Sequence, residues 1–146
     1  MPAVPASARL LAAAATAVFV LPLLLALARF GVAWPYLVPA VQLLSAAGCA
    51  APICFRRRDH FRVACAAAGA IVASLWTPVL IVGGLILLFT DFRWAIACFA
   101  MVAAAIAVLI AAFQRAKGAE CGRPAVVVGW SAAALALTDW AYVALG

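Results

Sequence analysis

Long uncharged apolar runs dominate this chain and leave it few ways to fold. Five such runs alternate with short polar segments, and each reaches the roughly 20 residues that an α-helix needs to cross about 30 Å of hydrocarbon. None of them alternates polar and apolar residues as the strands of a membrane barrel do. Because backbone polar groups in lipid must be satisfied internally, runs of this length predict helices. The sequence therefore predicts an all-α fold, a polytopic membrane bundle of five transmembrane helices.

The boundaries of the predicted helices are set by charged or glycine-containing connections. The helices are expected over residues 9–30, 34–55, 62–89, 93–113 and 123–145. Since the connections are short, consecutive helices are expected to be antiparallel neighbours. No stretch remains for a water-soluble unit, so residues 1–146 are expected to form a single transmembrane domain.

The composition of the chain agrees with a membrane protein. Of its 146 residues 71% are hydrophobic and only 10% are charged, against roughly 25% in ordinary soluble domains. The formal net charge of +6 is explained by basic residues in cytoplasmic loops. No segment is long enough to form the basic face of a nucleic-acid-binding domain. We therefore expect the lipid bilayer, and not nucleic acid, to surround the chain.

The distribution of arginine and lysine predicts the orientation in the membrane. With five crossings, eight of the ten basic residues fall on the side of the N-terminus. The other side has only Arg29 and Arg93, together with aromatic residues such as Trp94 and Trp140, which we expect in a belt at the membrane interface. By the positive-inside rule, the N-terminus is cytoplasmic and the C-terminus lies outside a bacterial inner membrane.

The densest basic stretch follows the second predicted helix. It contains Arg56, Arg57, Arg58 and Arg62. Basic residues next to a bilayer attract anionic lipid headgroups, at about 1 kcal/mol each. We expect these four arginines to orient the chain and to contact anionic lipids.

The first apolar run leaves one alternative open. It begins near Arg9 and ends in Ala26-Leu27-Ala28, which resembles a secretory signal with a small-residue cleavage site. Cleavage after Ala28 would leave four helices, and their orientation would not change.

Four charged residues lie at the predicted outer end, namely Arg29, Asp91, Arg93 and Asp139. Asp139 falls inside the last predicted helix, where a charge so close to lipid is usually paired. We expect Arg29 or Arg93 to pair with it. A second hypothesis makes Asp91 or Asp139 the acid or cation ligand of a small polar site. Two carboxylates without a histidine or a nucleophilic serine are a weak catalytic pattern.

The centre of the third predicted helix is unusual because it contains Trp76-Thr77-Pro78 after Ser74. Proline removes a backbone donor, so a kink is expected, with a nearby hydroxyl satisfying a freed carbonyl. Trp76 lies at mid-bilayer depth and is expected to face the bundle. Two interpretations are open. The third helix is kinked and its polar groups are satisfied locally, or Gln42, Trp76, Thr77 and Pro78, with Ser45 at a similar depth, line a small ligand cavity that opens outward.

The cysteines and the histidine do not form a metal-binding pattern. None of the five cysteines has a C-x-x-C partner, and His60 is the only histidine. The sequence therefore predicts no metal site and no cofactor, and the cysteines are expected to pack between helices as small apolar side chains.

Three functions agree with these features. The leading hypothesis is a non-catalytic structural or accessory subunit of a larger membrane system. Small residues at four-residue spacing, such as Ala125, Gly129 and Ala133, are expected to pack helices together within the chain, and contact with a membrane-protein partner or a second copy is a second use. One alternative is a small transporter or channel component that uses the cavity of the third helix. The other is an enzyme that acts on a lipid or isoprenoid substrate through Asp91 and Asp139.

Overall fold

The structure is a computed structural model that describes residues 4, 6–30, 37–117 and 122–145. Its α-helices are α1 (Ala6–Phe30), α2 (Leu37–Ala50), α3 (Arg58–Val79), α4 (Leu85–Thr90), α5 (Phe92–Lys117) and α6 (Gly122–Leu145). A 3₁₀ turn, Ala51–Cys54, follows α2, and a π-helical stretch, Leu80–Gly84, joins α3 to α4. Within these described ranges there is no strand, so the prediction of an all-α fold is confirmed.

Four helical segments are long and apolar enough to cross a membrane. They are Ala6–Ala28, Arg58–Thr90, Phe92–Ala116 and Pro124–Leu145. The second predicted helix is shorter, because its apolar helical part is Ala40–Cys54. Its predicted start at residue 34 lies outside the described residues. The α-helical part stops at Ala50 because Pro52 has no backbone N–H and clashes with the preceding turn.

Other helices extend beyond their predicted boundaries, and α3 and α5 do so into charged residues. The third helix was expected to start at residue 62, but α3 starts at Arg58, directly after the extended residue Arg57. Asp59 lies in its first turn, where the partial positive charge of a helix N-terminus stabilises a carboxylate. Similarly, α1 begins earlier and α5 ends later than predicted. Hydropathy marks the apolar part of a helix and does not mark its hydrogen-bonded ends.

The helices α1 and α5 form the centre of the bundle. In each of them 50% of the apolar span is buried, against 17% in the span Arg58–Thr90 and 22% in α6. Small residues allow the helices to approach closely. A Cβ atom on Gly129 would lie 3.0 Å from Cβ of Ala111 and 3.0 Å from Cδ2 of Leu11. Gly129 therefore sets how closely α6 packs against α5 and α1.

The backbone remains helical on both sides of Pro78. The Thr77 hydroxyl donates to the Ala73 carbonyl at 2.5 Å, and the π-helical stretch Leu80–Gly84 follows. The Thr77 hydroxyl therefore bonds to the carbonyl of the residue before Ser74, whereas the prediction was a bond to the Ser74 carbonyl that Pro78 frees. Irregular turns of this kind accommodate prolines inside membrane helices.

Candidate functional site

A cavity of about 120 Å³ lies where the six helices meet. Its lining includes Ala26 of α1, Gln42 of α2, Trp76 of α3, Leu87 of α4 and Trp140 of α6, and α5 contributes three further residues. An engineered cavity of ~150 Å³ binds benzene, so this volume suits one small ring or a few waters. The structure thus brings together Gln42 and Trp76, which the sequence places in one cavity.

Trp76 is held in the cavity wall by a chain of hydrogen bonds. Its Nε1–H donates to Ser45 Oγ at 2.8 Å, and Ser45 Oγ donates to the Val41 carbonyl at 2.8 Å. The ring stacks on Phe19 with centroids 5.9 Å apart and an interplanar angle of 16°. Trp76 is 2% exposed, so it faces the bundle and its one polar atom is satisfied within the chain.

The next two residues, Thr77 and Pro78, are exposed and are not among the residues that line the cavity. Successive residues of an α-helix point about 100° apart, so Thr77 and Pro78 lie on a different face of the helix from Trp76.

Gln42 is only 2% exposed, and its Nε2 donates to Met101 Sδ at 3.7 Å. A thioether sulfur is a weak acceptor, so this bond satisfies the amide poorly.

Trp140 also lines the cavity, but the chain does not satisfy it in the same way. It is 3% exposed, and its ring meets Trp94 edge to face with centroids 5.2 Å apart. Its Nε1 is buried and has no hydrogen-bond partner among the described residues. Composition suggests an interfacial belt for Trp140. The buried stripe of Gly129, Ala133 and Ala136, at spacings of three and four, is the signal that places it on the inner face of α6.

Asp139 stands at the edge of a groove between α5 and α6, which we call the Asp139 groove. The groove has a volume of about 480 Å³. Six alanines line it, spaced three and four residues apart on the two helices, together with Leu135 and Asp139. The Asp139 side chain is partly exposed, but its Oδ2 atom is buried and has no hydrogen-bond partner in the described part of the chain.

The other charges predicted at the outer end do not gather around Asp139. Asp91 is exposed, and its Oδ1 accepts the backbone N–H of Arg93 at 3.3 Å, which caps the start of α5. Arg93 is exposed, and within the described ranges it forms no ion pair with Asp139. The Arg29 side chain lies outside the described residues, as does any pairing that involves it.

Among the arginines of the basic stretch, Arg62 has a distinct environment. Its guanidinium carbon lies 4.7 Å from the centroid of the Phe113 ring, in a cation–π contact. Phe113 also lines a groove of about 450 Å³ between α3 and α5, which we call the Arg62 groove. The Nε atom of Arg62 is buried and has no hydrogen-bond partner among the residues that the structure describes. By contrast, Arg56 and Arg57 are exposed, and Arg58 is partly buried.

Metal-ligating side chains are dispersed. In the described ranges, no three histidine, cysteine, aspartate or glutamate side chains lie close enough together to hold a metal ion.

No protein-family model, no curated protein and no solved structure matches this chain. Its class therefore follows from the fold alone: an all-α protein with four helices that are apolar and long enough to span a membrane. Its candidate sites are the cavity, the Asp139 groove and the Arg62 groove.

Proposed function

We propose that this chain is a non-catalytic subunit of a larger assembly in a bacterial inner membrane. In this proposal five helices cross the membrane, the N-terminus is cytoplasmic, and the Asp139 groove receives a transmembrane helix of a partner protein. One observation carries the proposal: a carboxyl oxygen of Asp139 is buried at an alanine-lined groove without a hydrogen-bond partner among the described residues.

An unpartnered carboxyl group in this position is unfavourable. A buried polar atom that lacks its hydrogen bond destabilises a protein by about 1–3 kcal/mol. Charged side chains within membrane helices usually pair or face protein. Asp139 is partly exposed, so a donor can approach its side chain from outside the bundle, and a rotation of the carboxyl group would turn the buried Oδ2 toward that donor. An arginine or lysine on a partner helix would supply that donor.

The lining of the Asp139 groove suits a helix. Small residues at spacings of three and four let two membrane helices approach closely. On α5 the lining extends from Ala100 to Ala107, which is about 10 Å at 1.5 Å per residue. Shape and charge therefore support the same occupant, an apolar helix with one cationic side chain at the depth of Asp139.

The same groove supports docking over catalysis. Asp139 is the only polar residue among the described residues that line it, and Asp91 caps α5 instead of facing Asp139. Acid–base chemistry needs a second group within hydrogen-bonding reach of the reacting atoms. The transporter hypothesis has less support, because the cavity is small and Thr77 and Pro78 lie outside its lining.

We also propose that α1 stays in the mature protein. Phe19 supports the Trp76 ring, and Ala26 lines the cavity. At the other end of α1, Ser7 Oγ accepts a hydrogen bond from Arg115 Nε at 2.8 Å. Cleavage after Ala28 would remove all three contacts.

Photo-crosslinking in native membranes tests the proposal. A photoreactive residue replaces Ala103, which is exposed and lines the Asp139 groove, or Ala73, an exposed alanine of α3 outside that groove. Position 103 is expected to give one discrete adduct with another polypeptide, and position 73 only lipid adducts. Asp139→Leu should reduce the adduct at least about tenfold, the equivalent of ~1.4 kcal/mol, at equal amounts of inserted chain.

Three results would contradict the proposal. Position 103 could give only lipid adducts, the adduct could survive Asp139→Leu, or its mass could equal two copies of this 15.0 kDa chain. The intact mass of the uncrosslinked chain, measured in the same preparation, reports separately whether α1 is retained.

A further inference from the structure

We propose that the Arg62 groove binds one anionic phospholipid, with an acyl chain between α3 and α5 and the phosphate against Arg62. This site lies on another face of α5 from the Asp139 groove and near the opposite end of the bundle. It does not depend on the partner helix proposed above.

The lining of the Arg62 groove suits a hydrocarbon chain. Apolar residues of α5, Ile106, Leu109 and Ile110, form one wall, and Ala66 and Gly69 belong to the α3 wall. A Cβ atom built on Gly69 would meet nothing within 4 Å, so the groove is open at this point. In a membrane the surrounding molecules are lipids, so acyl chains are always available to occupy the groove.

A fixed positive charge lies at one end of this groove. Phe113 lines the groove, and the guanidinium of Arg62 covers the Phe113 ring at 4.7 Å. A guanidinium offers several N–H donors in a planar arrangement that matches phosphate oxygens. Arg62 is partly exposed, so its side chain remains accessible to a phosphate group, while its buried Nε has no hydrogen-bond partner among the described residues. The apolar groove therefore suits the acyl chain of an anionic phospholipid, and the Arg62 guanidinium suits its phosphate.

Position distinguishes Arg62 from the rest of the basic stretch. Arg57 is exposed, and its charge can attract headgroups only diffusely. Arg62 stacks on the Phe113 ring, which lines the Arg62 groove, so its charge lies at a fixed position next to the acyl-chain site. Diffuse attraction predicts equal effects for the two arginines, whereas a specific site predicts a large effect only for Arg62.

Lipid retention by the purified full-length chain tests this site. The chain is loaded with phosphatidylglycerol, transferred into phosphatidylcholine nanodiscs, and analysed by native mass spectrometry after release. We expect the wild type to retain phosphatidylglycerol in preference to phosphatidylcholine. Arg62→Gln should lower that retention about fivefold or more, and the matched control Arg57→Gln should lower it less than about twofold.

A second pair of variants tests the acyl-chain part without changing charge. Gly69→Leu fills the groove and should also displace phosphatidylglycerol, whereas Ala70→Leu, on an exposed neighbouring position, should not. Equal losses in Arg57→Gln and Arg62→Gln would overturn the proposal in favour of diffuse attraction. Full retention in Gly69→Leu would overturn it as well, because no chain would then occupy the groove.

Discussion

The helices α3 and α6 occupy similar places in the bundle, but the chain satisfies their polar side chains to different degrees. Both lie against α5, and in both only a minority of the residues are buried. Along α3, the Trp76 indole donates to Ser45 and the Thr77 hydroxyl donates to the Ala73 carbonyl. Near the first turn of α3, Arg62 Nε is buried without a hydrogen-bond partner among the described residues. On α6, Trp140 Nε1 and Asp139 Oδ2 are buried without hydrogen-bond partners among the described residues.

In our proposals the α3 side and the α6 side bind different occupants because Arg62 and Asp139 differ in charge and in position along their helices. Arg62 lies at the basic end of α3, where phosphate groups of lipids can satisfy a cation. Asp139 lies inside α6, and phosphate groups would repel its carboxylate. In our proposals a lipid phosphate therefore satisfies Arg62 on α3, whereas a cationic side chain of a partner protein satisfies Asp139 on α6.

The largest expected difference between the two sides concerns packing. Gly129→Ala places a methyl group 3.0 Å from side chains of both Ala111 and Leu11, so these neighbours have to shift by a few tenths of an ångström. We expect the free energy of unfolding to fall by about 1–3 kcal/mol, measured by denaturant titration of the purified chain in mild detergent. The control is Gly83→Ala in the stretch between α3 and α4, where the added methyl meets open space. It should change stability by less than about 1 kcal/mol. Equal losses of unfolding free energy in the two variants would mean that the chain is not packed more tightly around Gly129 than around Gly83.

A smaller difference is expected between the two tryptophans of the cavity. Trp76→Phe and Trp140→Phe remove the same atoms from two buried rings, but among the described residues only Trp76→Phe breaks a hydrogen bond, the one to Ser45. The same titration should therefore find Trp76→Phe less stable than Trp140→Phe by about 1 kcal/mol. If the two variants lose the same free energy, the two sides of the cavity do not differ in hydrogen bonding.

Local sequence patterns predicted features that depend on one helix at a time. The apolar runs lie where the structure has helices, and a tryptophan at mid-bilayer depth indicated that Trp76 faces inward. Thr77 and Pro78 were grouped with Trp76 because they are adjacent in sequence, although a helix turns them away. The Asp139 groove depends on how α6 crosses α5 near Gly129, and this tertiary geometry is not encoded in the periodicity of either helix alone.

Reversing the charge of Asp139 tests the central claim most directly. Complexes are extracted gently from native membranes and weighed by native mass spectrometry, for the wild type, Asp139→Lys and the control Asp91→Lys, which changes an exposed carboxylate at the start of α5. We predict that the wild type and Asp91→Lys carry a second polypeptide, and that Asp139→Lys is inserted but has lost it. All three should retain phosphatidylglycerol equally. Asp139→Lys with the second polypeptide still bound at the wild-type level would contradict the account.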